Sequence, residues 1–140
     1  MTQPGYPPVY PAPRPAPNGS LPWGLGLLVL IPIPFLSALI ASVAMIVSAR
    51  TRAQQAPTAR ENANRAANWG LTYLLATVLL MGTHFTVLFI SQDIQGFFPF
   101  GLIVLTWVGF SIVHLVFSII GLVQASQGRR VPLNGLPIFR

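Results

Sequence analysis

His84 and His114 are the only ionisable side chains inside the long apolar stretches of this chain, and its acidic residues number two, Glu61 and Asp93. An ionisable group at membrane depth is a candidate for function. Two histidines on facing helices can hold one haem iron. At 1.5 Å rise per residue, however, His84 lies about 10 Å and His114 about 22 Å below the same end of their helices. An offset of roughly 12 Å suits no shared iron. The chain has no cysteine, and no carboxylate lies near either histidine in sequence to complete a metal site. The expectation is therefore no metal and no cofactor, with each neutral imidazole hydrogen-bonded to a neighbouring helix. Glu61 and Asp93 stand at opposite ends of one helix, so they form no acid–base pair. Gly24-Leu25-Gly26 alone is no phosphate loop, and no serine has an evident base and acid beside it. The sequence reads as non-enzymatic, with no identifiable small-molecule substrate.

The elements that carry these residues follow from composition. Charged residues make up 7% of the chain and hydrophobic ones 53%, with a mean hydropathy of +0.65. A soluble domain uses roughly a quarter charged residues to cover its surface, so the environment this chain matches is lipid. All eight basic residues are arginine, and the net charge is +6. They flank the apolar runs instead of forming one dense patch, which fits membrane-surface placement better than nucleic acid.

The fold class expected is an all-α membrane protein, three transmembrane helices in a small bundle behind a disordered tail. Residues 1–20 are proline-rich, with no period that would bury a face. They read as a solubilising tail or a ligand for a proline-binding domain. The membrane domain spans residues 21–128, with helices at about 21–49, 59–92 and 97–127, and residues 129–140 form a short C-terminal tail. Each apolar stretch exceeds the roughly 20 residues needed to cross the hydrocarbon core. Pro32-Ile33-Pro34 interrupts the first. A kinked spanning helix is the favoured reading, because broken backbone is costly in lipid; a re-entrant hairpin is the alternative. The core is too long, and preceded by too long a tail, for a cleaved signal peptide.

Thr58 and Glu61 fit a capping box opening the second helix, and Glu61 and Arg65 stand in the favourable order for an i,i+4 pair. The third helix is expected to start near Pro99 and to end before Gly128 as a C-cap glycine. Small and polar stripes mark packing faces. They are Trp107, Ser111, His114, Ser118, Gly121 and Ala125 on the third helix, Ser37, Ala41, Ala44 and Ser48 on the first, and Thr72, Ala76, Thr83 and Thr86 on the second. The second face extends back to Asn68, Arg65 and Glu61. The bland reading is helix packing, and the functional one is a polar path. Arginines place the Arg50–Arg65 loop and the C-terminus in the cytoplasm.

Three motifs carry a resemblance. Leu30-Ile31-Pro32-Ile33-Pro34-Phe35 looks like an opening helix with a proline turn. Glu61-Asn62-Ala63-Asn64-Arg65-Ala66-Ala67-Asn68-Trp69 puts Ala67 and an Asn-aromatic pair at the start of the second span. Gln124-Ala125-Ser126-Gln127-Gly128 leads into Arg129, Arg130, Val131, Pro132 and Leu133. Together, over about Gly24 to Phe139, they resemble a family of small bacterial membrane proteins of unknown function, distantly similar to the Tic-twenty-like import component of the chloroplast inner envelope. Gly70, where that family has Gln, and the ending Asn134-Gly135-Leu136-Pro137 depart from it. The resemblance implies a three- or four-helix unit in the bacterial plasma membrane, no known catalysis and, by remote analogy, an oligomeric pore or translocation component. The residues themselves favour an accessory subunit whose partners are the lipid bilayer and either itself or another membrane protein.

Overall fold

The computed structural model describes residues 17–51, 56–90 and 97–140. The readings made for residues 1–16, for Arg52 and for Asp93 lie outside them. Among the described residues every secondary-structure element is helical: α1 (Ser20–Leu25), a 3-10 turn at Gly26–Leu30, α2 (Leu36–Thr51), α3 (Pro57–Ile90) and α4 (Phe100–Ser126).

Among the described residues two helices, where three were expected, are long and apolar enough to cross a membrane. They are α3, with 34 residues, and α4, with 27. Only 17% and 11% of their most apolar windows are buried inside the protein. The core helix of a soluble protein would hide most of such a window. These faces instead carry exposed Leu75, Val78, Leu79, Phe85, Leu105 and Ile112, an apolar surface suited to lipid.

The first apolar stretch is not a kinked spanning helix. It folds back on itself. A helix through Ile31–Phe35 would lose two donors at Pro32 and Pro34 and drive both rings into preceding carbonyls. Each residue before a proline is also pushed towards extended backbone, and Ile31 adopts φ −64°, ψ 125°. Phe35, at φ +64°, completes the reversal. The expected cost of broken backbone is met locally. The Ile31 N–H donates to Leu28 O at 3.1 Å, Ile33 to Ile31 O at 2.7 Å, Leu36 to Pro34 O at 2.7 Å and Ser37 to Ile33 O at 3.1 Å. The two prolines have no N–H to leave bare. The prolines that break the helix thus also make its turn tolerable in an apolar setting.

Both arms of this hairpin return to the same end of the bundle. Asn18 donates to Ser126 O, and Trp23 Nε1–H to Asn62 O, while Ala49 packs against Ala63 and Ala67. That end also holds Arg50, Arg60, Arg65, Arg129, Arg130 and Arg140, and is called the basic end below. The principal core lies there too: Trp23, Met45, Ala66, Trp69, Ala125 and Val131. The opposite, far end consists of the close of α3 and the start of α4.

Helix ends follow local chemistry. Pro57 opens α3, and the Arg60 N–H reaches Ala56 O at 2.9 Å. Thr58 is therefore inside the first turn and is not the N-cap; proline at the first helical position puts the N-cap at Ala56, two residues earlier, where no side chain can form the expected capping box. Gly128 closes α4 with φ +70°. Its N–H bonds Ala125 O at 2.9 Å and that of Arg129 bonds Gln124 O at 3.0 Å, the paired bonds of a Schellman motif.

Packing faces differ in how they match the stripes. On α4, His114, Ser118, Gly121 and Ala125 are buried. On α2 the buried face is Ser37, Ala38, Ala41, Ser42, Met45 and Ala49, rotated by one residue so that Ala44 and Ser48 sit at its edge. On α3, Thr83 and Thr86 are exposed. The buried line runs through Ala66, Gly70, Tyr73, Thr77 and Met81 instead, the side of α3 that meets Ser42 and Met45 of α2 and Ser111 and Trp107 of α4.

Candidate functional site

The densest polar arrangement is at the basic end, where the segment after α4 is strapped onto the first four turns of α3. Asn62 is fully buried. Its Oδ1 accepts from the Val131 N–H at 2.9 Å, and its Nδ2 donates to Arg129 O at 2.9 Å and to Asn18 O at 3.4 Å. Asn68, less than two turns on, accepts from the Ile138 and Phe139 N–H groups at 3.1 and 2.7 Å. Its Nδ2 donates to Phe139 O and Asn134 Oδ1, each at 3.1 Å. The Leu136 N–H donates to Thr72 Oγ1 at 2.8 Å. Two amides less than two turns apart on α3 thus give an extended segment the hydrogen bonds that it has no sheet to provide.

Charge finishes the strap. Glu61 Oε1 accepts from Arg65 Nη2 at 2.9 Å and from Arg130 Nε at 2.7 Å, and Arg65 also donates to Val131 O. Glu61 lies before the apolar part of α3. Desolvation pushes its carboxyl up, but the hydrogen bonds and charges of Arg130 and Arg65 outweigh this and hold it below the usual carboxylate value. Arg50 lies over the Phe139 ring, 4.7 Å from its centre. A cleft of 490 Å³ opens beside the strap, bordered by Arg60, Arg65, Arg140, Asn64, Asn134 and Phe139. Such a surface can hydrogen-bond and hold; it offers no nucleophile with a base.

The histidines are placed apart. His114 is fully buried. Its Nε2–H donates to Gly26 O at 3.1 Å, Ser118 Oγ lies 3.5 Å away, and its ring stacks on Tyr73 with centres 3.8 Å apart. It ties the hairpin to α4. Tyr73 in turn shares a hydrogen bond of 2.8 Å with Ser111, and Gly121 receives the Trp23 ring. His84 sits at the far end against Phe85 and Phe100. Since Phe100 opens α4 and His114 lies fourteen residues along it, the two imidazoles are about 21 Å apart along the bundle. The Nδ1 atoms of both, and Trp69 Nε1, have no hydrogen-bond partner among the described residues. Among those residues no group of three His, Cys, Asp or Glu could hold a metal ion.

Sequence reasoning singled out Glu61, Asn62, Ala67, Asn68, Trp69, Gly128 and Pro132 as motif residues, with Glu61 also paired to Arg65, Asn68 on a packing stripe and Gly128 as a helix C-cap. The structure brings Glu61, Asn62 and Asn68 together as the strap's anchors, buries Ala67 and Trp69 beneath them, and puts Gly128 at the turn that delivers it. Phe139 was given no role beyond ending the resemblance, Thr72 was placed only on a packing stripe and Asn134 only in the departing C-terminal motif; their partners lie more than sixty residues away in the chain.

No curated protein and no solved structure matches the chain. The Tic-twenty-like resemblance is overturned by a family model that covers residues 21–139, from the hairpin to the end of the strap. The motifs that suggested it encode general structural devices, a proline turn, amide anchors and a glycine-capped exit, which do not belong to one family. That model describes the magnetosome magnetite crystal formation proteins, MamF/MmsF, and the chain belongs to this family.

Proposed function

We propose that the chain is a membrane-resident, non-enzymatic accessory protein of magnetite crystal formation that associates with itself or with another membrane protein. In this reading α3 and α4 cross the bilayer and the basic end lies in the cytoplasm, where arginines are retained. Membership of the family supplies the process. The observation that carries the non-enzymatic role is the use made of the polar groups: Glu61, Asn62, Arg65 and Asn68 are all engaged in holding the C-terminal segment. A catalytic constellation would leave such groups turned towards a reactant.

The test is deletion of the gene in its host, followed by electron microscopy of the crystals and fractionation of a tagged chain. The expected result is altered crystals, restored by the full chain, which remains in membranes after carbonate washing. Crystals of unchanged size, number and shape would refute the reading, as would a chain released by the wash. Native mass measurement in mild detergent addresses association; a monomer with no partner recovered from membranes would remove that part.

A further inference from the structure

The hairpin and the two long helices do not have the same reach. Trp23 packs on Gly121, and Gly26 lies against Ser118 and Met45. Val29 and Leu30 border the same groove as Ser111 and Ile112. At the tip, Phe35 contacts Trp107 and Phe85, with ring centres 4.6 and 6.3 Å apart. The hairpin therefore ends level with Trp107, while α4 continues seven residues to Phe100, about 10 Å further. Arm lengths agree. Ser20–Leu30 covers about 19 Å and α2 about 24 Å, against a hydrocarbon thickness of about 30 Å.

Among the described residues, a slice through the basic half therefore cuts four helical segments, and one through the far end cuts two. With helices about 10 Å across, the basic half occupies roughly 160 Å² more membrane area. The C-terminal strap adds bulk on the same side. Area added to one leaflet alone expands that leaflet, and the bilayer relaxes by curving with it on the convex face.

We propose that the chain is a one-sided wedge whose partner is a curved lipid bilayer, with the basic end on the convex face. The inference rests on the membrane residence argued above. The hairpin is the wedge, and Pro32-Ile33-Pro34 sets its depth by forcing the reversal near the middle of the bilayer. The polar strap holds both arms at the surface, where Asn62 joins Asn18, Trp23 and Arg129 in one cluster.

The test uses the full chain carrying Thr2→Cys, which gives a single label because the chain has no cysteine of its own. It is reconstituted into vesicles of phosphatidylcholine and phosphatidylglycerol from about 40 to about 300 nm across, a range over which wedge insertion responds to curvature. Label density per membrane area is read vesicle by vesicle. Orientation is read with trypsin added outside; the chain has no lysine, and the arginines of the described residues lie at the basic end. The expected result is severalfold higher density in the smallest vesicles, with the exposed Arg50 and Arg60 cleaved there. Equal density at all sizes, or enrichment with the arginines protected, would overturn the wedge. Failure to float with any vesicle would instead overturn membrane residence. A second variant, Gly82→Leu with Thr83→Leu and Thr86→Leu, enlarges the far half at exposed positions; a Cβ at Gly82 meets nothing within 4 Å. Its size dependence should flatten while the helical content is kept. An unchanged dependence would count against the proposal.

Discussion

The basic and far halves of this bundle share the same two long helices but hold them by different means. In the basic half α3 and α4 touch each other, pack against a hairpin and are bound by a strap, so small residues, buried amides and an arginine-carboxylate cluster all have a partner. In the far half, among the described residues, the hairpin adds only its tip, Phe35 against Phe85, and Leu79, Phe89 and Ile90 are 68%, 87% and 74% exposed. Lipid gives little drive for such surfaces to associate. Specificity, and most of the intramolecular stability, therefore lives in the half whose contacts are polar or close.

That difference can be broken most strongly at Gly121. A Cβ there would stand 2.1 Å from the Trp23 ring. The ring is fixed by its own hydrogen bond of 3.1 Å to Asn62 O, so it has nowhere to turn. Gly121→Ala should cost about 3 kcal/mol, the upper part of the range for overpacking, read as a lowered unfolding midpoint in detergent. Gly109→Ala on the same helix, where an added Cβ meets nothing within 4 Å, should be stabilising or neutral. Equal losses at the two glycines would abolish the contrast between the packed and the open sides of α4.

Asn62→Leu comes next. It keeps the volume but strands the Val131 N–H and the Arg129 carbonyl in a buried site, for a loss of about 2 kcal/mol. Hydrogen exchange at Val131 should quicken, while amides in the middle of α4 stay protected. Unchanged protection at Val131 would show that the strap is held by something other than the amide.

How much of this was legible in the sequence depends on the range of each interaction. The Glu61–Arg65 pair, the Gly128 exit and the inward face of α4 are set by residues within a few positions of one another, and they were visible. The hairpin was seen only as an alternative, because its cost could not be judged without knowing that Ile33, Leu36 and Ser37 find carbonyls within the turn itself. Asn62 and Asn68 were noticed as motif residues, but their partners, at Val131 and Phe139, lie 69 and 71 positions away. The α3 stripe failed for a similar reason: Thr83 and Thr86 look like a packing face, but which side of α3 is packed depends on where the distant hairpin and α4 lie.

A gentler probe is pH. Glu61 is held below its usual range in the folded state, so the stability it contributes is present above the unfolded carboxylate value. It is lost as pH falls through the lowered folded one. Trypsin cleavage after Arg129 and Arg130 should therefore stay slow near neutrality. Cleavage by an acid-active protease within residues 129–133 should rise as the pH drops below about 4, where free glutamate titrates. Glu61→Gln should show the loosened strap at neutral pH and no further change on acidification. A pH response that survives in Glu61→Gln would assign the effect to another group.

The smallest effect belongs to the far half, and its smallness is the prediction. Leu79→Ala removes a large apolar side chain, yet Leu79 is 68% exposed and its atoms leave lipid contact, not a packed core. In a soluble protein's core the same change costs about 2–5 kcal/mol; here it should stay within about 0.5 kcal/mol, the range of surface substitutions. Met81→Ala, two residues on and 6% exposed, provides the internal standard and should cost several times more. If Leu79→Ala proved as damaging as Met81→Ala, the face at Leu79 would be covered by another protein surface, and the far half would be an interface in its own right.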